Sequence, residues 1–212
     1  MRRLLLALVV VAVVAFLGDA LATNVAEARA AERVSAELGA SVEVDLRGWP
    51  VSLRLLNRHV PEVGLEAADV PLRGSGARLS RLEATLFDVA VPWTWTGRFD
   101  GVVEARSGRF TAELDEAAVQ SLVPLPVTIT LEEGIIRGRL GTAQLDATAE
   151  VVDGAILLRP AASSLADLGE LRVPLDGLPE GATVESVRIE PDVLVIGGSL
   201  TDFRIEAAEQ TS

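Results

Sequence analysis

The spacing of apolar residues changes several times along the chain, and each change predicts an element. Leu4 to Leu17 is an unbroken run of fourteen residues without a polar side chain, set behind Met1-Arg2-Arg3. From Asp19 to Leu38 the apolar residues Leu21, Val25, Ala28, Ala31, Val34 and Leu38 recur at steps of three and four. Glu27, Arg29, Glu32, Arg33 and Glu37 occupy the remaining surface, so the spacing predicts an amphipathic helix stopped by Gly39. After Gly39 the period becomes two. Val42, Val44 and Leu46 alternate with Glu43, Asp45 and Arg47, which predicts a strand with one wet face. Gly48-Trp49-Pro50 breaks it. Pro50 suits the first turn of a short helix to about His59, with Trp49, Leu53, Leu56 and Val60 on one face and Pro61 closing it.

The remainder reads mostly as strands. Val63, Leu65 and Ala67 alternate before Val70 and Leu72 resume in the other phase, and Leu82, Ala84 and Leu86 give way to Phe87, Val89 and Val91. One-residue phase slips of this kind predict bulges that coil a sheet. Arg106-Ser107-Gly108-Arg109 predicts a hairpin turn. Asp115 suits the N-cap of a short helix through Val123, with Leu114 and Val119 spaced as a hydrophobic staple and Pro124 and Pro126 beyond. Glu133-Gly134, Asp153-Gly154 and Pro191-Asp192 each place a turn before an apolar strand, as successive hairpins of one meandering antiparallel sheet would. Ala161 to Gly181 reads as a long surface connection. No linker divides two folded domains.

Charge and composition narrow the chemistry. The 212 residues are 49% hydrophobic and only 4% aromatic, so the core is built from Val, Leu, Ile and Ala. Thirty-one acids against nineteen bases give net −12, every base is Arg, and a surface of that sign repels phosphate backbones, which argues against nucleic-acid binding. There is no cysteine, which removes disulfides, thiolate metal sites and thiol catalysis, and one histidine, His59, leaves multi-histidine metal sites without ligands. No metal and no cofactor is expected.

Arg2 and Arg3 before the apolar run have the layout of an export signal or anchor. The run is shorter than the roughly 20 residues of a membrane-spanning helix. Ala20-Leu21-Ala22 has the form of a signal-peptidase site, so a cleaved signal and an uncleaved anchor both stand.

The candidate sites are sparse. Gly74-Ser75-Gly76 lacks the Gly and Lys spacing of a phosphate loop and the flanks of a nucleophile elbow. His59 has the position of a favourable charge at a helix end more than that of a general base. The pairs Glu132-Glu133 and Asp115-Glu116 fall at turns or caps, where solvated acids are ordinary. Pro92-Trp93-Thr94-Trp95 sets two indoles on one side of an extended segment, where they either enter a membrane interface or line a lipid cavity, or plug the end of the core. Arg54 and Arg58, at i and i+4 of the predicted short helix, are headgroup candidates.

With its order in view, the chain resembles the LmeA-like phospholipid-binding family of bacterial envelope proteins. The resemblance rests on the apolar N-terminal segment followed by Asp19, and on Gly48-Trp49-Pro50-Val51-Ser52-Leu53-Arg54-Leu55-Leu56. It also rests on Pro61-Glu62-Val63, on Val173 to Gly181, and on Leu194-Val195-Ile196-Gly197-Gly198. Val51 stands where the family usually has Phe, and the Trp93/Trp95 pair is a second departure from the family pattern. No catalytic residue is carried over. The resemblance implies an α+β fold similar to tubular lipid-binding domains, a long N-terminal helix packed on a highly curved, mostly antiparallel sheet.

Taken together, these readings give a segment 1–18 that is signal or anchor, an amphipathic helix 19–40, a single β-rich lipid-binding domain 41–208 and a tail 209–212. The expected function is non-enzymatic phospholipid binding in an apolar groove formed by Trp49, Leu53, Leu56, Val60, Trp93 and Trp95. It would act at the extracytoplasmic face of the plasma membrane, in the cell envelope or periplasm, with phospholipid and membrane as partners, in support of lipid or lipoglycan assembly. The alternative is a membrane-tethered scaffold with a packed core. A hydrolase built on converging carboxylates ranks last. A reporter fused after Leu38 is expected to be active only outside the cytoplasm, and full cytoplasmic activity would refute export.

Overall fold

The computed structural model describes residues 23–32, 34–36, 38–48, 57–72, 76–90, 103–123, 127–160, 171–173 and 181–205. A helix, α1, takes in the described residues between 23 and 38, and among the described residues eleven strands and a second helix follow. They are β1 (Ser41–Arg47), β2 (His59–Pro71), β3 (Arg78–Ala90), β4 (Val103–Asp115), α2 (Glu116–Leu122), β5 (Thr128–Glu132) and β6 (Ile135–Leu140). The rest are β7 (Ala143–Val152), β8 (Ala155–Pro160), β9 (Leu171–Val173), β10 (Ala182–Glu190) and β11 (Val193–Ile205). Every pairing is antiparallel. One sheet has the order β1-β2-β3-β4-β11-β10 and the other β5-β6-β7-β8-β9.

Two sequence expectations are corrected here. The class is not α+β with a long N-terminal helix: about 70% of the described residues are strand, and α1 is short. The reason is local. After Gly39, whose φ of 64° ends α1, alternation and tight turns leave seven-residue α2 as the only other helix among the described residues. Nor is there one meander. β10 and β11 return to pair beside β4, so β5–β9 form a separate sheet.

The predicted helix from Pro50 lies mostly outside the described residues, but its end does not. Asn57 and Arg58 form a turn, and His59 and Val60 already belong to β2. Pro61 explains this, because a residue preceding proline is pushed from helical to extended backbone. The predicted hairpin at Arg106–Arg109 is also absent, and β4 runs straight through it. Gly108 serves packing instead. A Cβ there would come within 2.9 Å of Leu86 Cδ2 and 3.3 Å of Leu200 Cδ1, so the position must stay bare for its neighbours to close over it.

The expected cap is present. Asp115 Oδ1 accepts the Ala118 N–H at 2.7 Å, and Leu114 and Val119 are both buried.

Both helices lie along the open edge of a sheet and do the same work there. In α1, Ser35 Oγ accepts the Val42 N–H and Glu27 Oε1 accepts the Leu46 N–H, both at 3.0 Å. The eight-residue step between the acceptors rises about 12 Å along the helix and the four-residue step between the donors about 13 Å along the strand, so the spacings match in antiparallel register. In α2, Gln120 Oε1 accepts the Ile129 N–H at 2.9 Å and Glu116 Oε1 the Leu131 N–H at 2.7 Å. Edge N–H groups of β1 and β5 are thereby satisfied by side chains rather than by another strand.

The buried residues of both sheets form one cluster, from Ala26 of α1 through Val63, Leu86, Phe110 and Ile196 to Leu131, Ile136 and Ile156. The sheets are stitched where two hairpin turns meet. Gly134 N–H donates to Ile189 O at 2.9 Å and Asp192 N–H to Leu131 O at 3.1 Å.

Gln120→Ala is expected to lower stability by about 1–2 kcal/mol, because the partly buried Ile129 N–H loses its acceptor. Amide exchange checks this, with faster exchange at Ile129 and Leu131 and little change in β2 or β3.

Candidate functional site

The inward face of the six-stranded sheet is apolar from edge to edge. Alternation places Val42, Val44 and Leu46 of β1, Val63, Leu65 and Ala67 of β2, and Leu82, Ala84 and Leu86 of β3 on it. Phe110, Ala112 and Leu114 of β4 continue it, followed by Leu194, Ile196 and Leu200 of β11. Phe110 lies over Gly198, where a Cβ would come within 2.6 Å of its ring. Most of these residues are buried, but Leu65, Leu82 and Ala84 are only partly so, although β2 and β3 are flanked by strands on both sides.

The five-stranded sheet has a matching face. Ile129, Leu131, Ile136 and Ile156 are buried, while Ala147, Ala149, Val151 and Leu158 keep part of their surface accessible. Both apolar faces belong to one buried cluster. In the sequence Leu65, Leu82 and Ala84 belong to ordinary alternation, and no local signal distinguishes a covered inward residue from a partly exposed one.

A row across this sheet accounts for the phase slip of β3 before Val89, while the slip of β2 before Val70 falls at Asp69, whose φ is 55°. The pairs on either side put Pro61 of β2, Asp88 of β3, Arg106 of β4 and Asp202 of β11 in one line. On one side of it the inward residues are Val63, Leu86, Gly108 and Leu200; on the other they are Val60, Val89, Ala105 and Phe203. All four strands change phase together, so the pairing register is kept. Asp88 and Asp202 carry the change with φ of 54° and 50°, a left-handed conformation that Asp tolerates better than most residues. His59 stands beside the row, its Nε2 3.5 Å from Asp88 Oδ1 with both side chains about half exposed, and not at a helix end. A one-sided bulge does occur in β10, where Glu185 is the extra residue and its carboxylate accepts from Ser199 Oγ.

Of the residues singled out in the sequence, Trp49, Leu53, Arg54, Leu56, Trp93 and Trp95 lie outside the described residues. Their anchor points do not. Arg47 pairs with Glu62, His59 with Ala90, and Ala90 with Glu104, so the connections 48–58 and 91–102 leave from one end of the sheet. Val60 is 1% exposed and belongs to the core of β2. Arg58 is exposed in the turn before it, with φ of 55°.

Three of the four acids in the pairs Asp115-Glu116 and Glu132-Glu133 have structural partners. Asp115 and Glu116 hold the two N–H groups given above, and Glu132 meets Arg137, which also bonds Asp146 at 3.0 Å. Among the described residues no three His, Asp or Glu side chains are grouped to hold a metal.

An open cleft of about 600 Å³ lies between the β5–β6 turn, β7 and β10. Ala149, Val187 and Ile189 line it with Glu133, Glu190 and Arg188. Two carboxylates against one guanidinium make it a poor seat for a phosphate.

The family model described as LmeA-like phospholipid-binding matches residues 17–199. No curated protein and no solved structure matches the chain.

The Arg137 guanidinium, with the Gln144 amide, holds the Asp146 carboxyl below the usual carboxylate range. A lowered folded pKa adds stability above the unfolded value, and that contribution is lost as pH falls through the folded one. Asp146→Asn is therefore expected to lower the urea midpoint at pH 7, and the gap to the parent should close as pH drops through the acid range.

Proposed function

The chain belongs to the LmeA-like phospholipid-binding family, and from that membership we propose that it holds a phospholipid without chemically altering it. The acyl chain lies against the inward apolar faces, and the polar head stays at the rim. The observation that carries this reading is the incomplete cover over Leu65, Leu82 and Ala84 in the middle of a continuous apolar face. Transfer of each buried CH₂ from water contributes about 0.8 kcal/mol, so the gain grows with the length of acyl chain held.

The proposed place of action is the extracytoplasmic face of the plasma membrane, with residues 1–18 as signal or anchor and envelope lipid or lipoglycan assembly as the process served. Arg2-Arg3 before Leu4–Leu17 supports export. Among the described residues no helix is long and apolar enough to cross a membrane.

Native mass spectrometry of the chain purified from its own membrane fraction tests the reading. A bound phospholipid is expected, and its absence favours a scaffold with a packed core. Leu82→Asp is expected to abolish the bound lipid in a chain whose circular dichroism is retained, with Leu82→Ala giving a partial loss if the charged variant does not fold. Leu56→Asp tests the groove residue expected from sequence in the same way. His59→Gln should leave lipid binding unchanged, since no proton transfer is involved.

A further inference from the structure

We propose that the open cleft between the two sheets seats the head of the bound phospholipid, and that it selects a zwitterionic head carrying an ammonium group over an anionic one. The proposal deepens the function above and rests on it. Its ligand is a phospholipid of the ethanolamine type.

The cleft has the two parts that an amphiphile needs. β10 is the outer strand of the six-stranded sheet, so residues of both its faces border the opening. Val187 and Ile189 turn inward and form the floor with Ala149 of β7. Ile189 belongs to the buried cluster, and Val187 and Ala149 pack against it. Arg188 and Glu190 alternate with the floor residues and stand exposed on the rim, with Glu133 of the β5–β6 turn. The volume of about 600 Å³ is that of a small-molecule site, for which about 300–1,000 Å³ is usual. Apolar floor and charged rim thus meet in one opening, and the floor continues into the faces proposed to hold the acyl chain.

The charges on the rim decide which head fits. Glu133 meets no cation among the described residues. Arg188 Nε lies 3.7 Å from Glu190 Oε1 with both side chains more than half exposed, a pair loose enough to exchange for groups of a ligand. One guanidinium beside two carboxylates leaves the rim with a net negative charge, so a phosphate alone is repelled and an ammonium is attracted. A zwitterionic head brings both, its phosphate to Arg188 and its ammonium to the two carboxylates. The edge of β10 adds a donor. The turn at Pro191-Asp192 pairs Glu190 with Val193, and Ile189, next along, turns its C=O away to accept from Gly134 N–H. By the same alternation the Val187 N–H faces the open edge bordering the cleft, where beside Arg188 it is a neutral donor for a phosphate oxygen. The net charge of −12 on the whole chain adds to the bias against an anionic head.

Competition between lipids tests the assignment. The full-length chain in neutral detergent is offered equal amounts of dipalmitoyl phosphatidylethanolamine and dipalmitoyl phosphatidylglycerol, and the bound lipids are counted by native mass spectrometry. Phosphatidylethanolamine is expected to exceed phosphatidylglycerol by about threefold to fivefold, the span that an exposed ion pair reaches. Glu133→Gln/Glu190→Gln is expected to bring the ratio to about one while the total of bound lipid is retained. Glu43→Gln/Glu83→Gln removes the same charge from exposed positions on β1 and β3, toward the opposite edge of the six-stranded sheet, and should leave the ratio as in the parent. Equal or greater binding of phosphatidylglycerol, a ratio that the cleft variant leaves unchanged, or the same shift in the β1/β3 variant overturns the headgroup assignment and leaves phospholipid binding standing. A parent chain that holds neither lipid overturns the lipid-binding reading, and the assignment with it.

Discussion

The structure depends on how its sheet edges are closed. An open strand edge is a row of unmet N–H and C=O groups, and in a chain this rich in strands it invites pairing with another molecule. Here a Ser and a Glu of α1 and a Gln and a Glu of α2 accept N–H groups of β1 and β5, each pair at the spacing of its strand. The caps fix more than the edge. They set the direction in which α1 runs, bring Ala26 into the core and tie α2 to the sheet that follows it. They use only one flank of each helix, so neither helix needs to fill the space over the sheet centre, and the middle of the apolar face stays partly open.

The second organising feature is the transverse row of Pro61, Asp88, Arg106 and Asp202. A strand that slips phase alone must lose register with its neighbours or bulge. Four strands that slip on one line keep their pairing and still bring a hydrophobic residue inward on both sides. The apolar face therefore continues past the row to Val60, Val89 and Ala105, close to the end from which residues 48–58 and 91–102 depart.

Much of this was legible in the sequence. Strand alternation, the Asp115 cap and the turns at Gly134, Asp153-Gly154 and Asp192 follow from local rules, and local rules hold for them. The slips before Val70 and Val89 are present, but as left-handed Asp69 and Asp88 with the β2–β3 register kept rather than as bulges. The misreadings came from residues whose role is set by distant partners. Gly108 looks like a turn residue until Leu86 and Leu200 are placed over it. Trp49 to Val60 carries helical spacing, but Pro61 moves its last residues into β2. The split into two sheets was invisible, because hairpin signals say that neighbours pair and not where a returning strand lands. Glu27, Ser35, Glu116 and Gln120 gave no sign of their task, since an acceptor on a helix surface looks like any solvated side chain. Trp49, Leu53, Leu56, Trp93 and Trp95 fall outside the described residues, and what the fold contributes there is the shared sheet end.

The chain order of the six-stranded sheet has a consequence for how the protein is made. β4 is followed by α2 and the whole of the five-stranded sheet before β11 and β10 return to cover its other side. During synthesis or translocation the thirteen-residue β4 edge therefore waits, unpaired, while more than seventy further residues are delivered. Such a delay is the interval in which an exposed strand recruits the wrong partner, and non-local pairing is slow to end it. A stalled or shortened product that stops before Val193 would keep that edge open permanently, so quality control of this chain bears most heavily on its last strand.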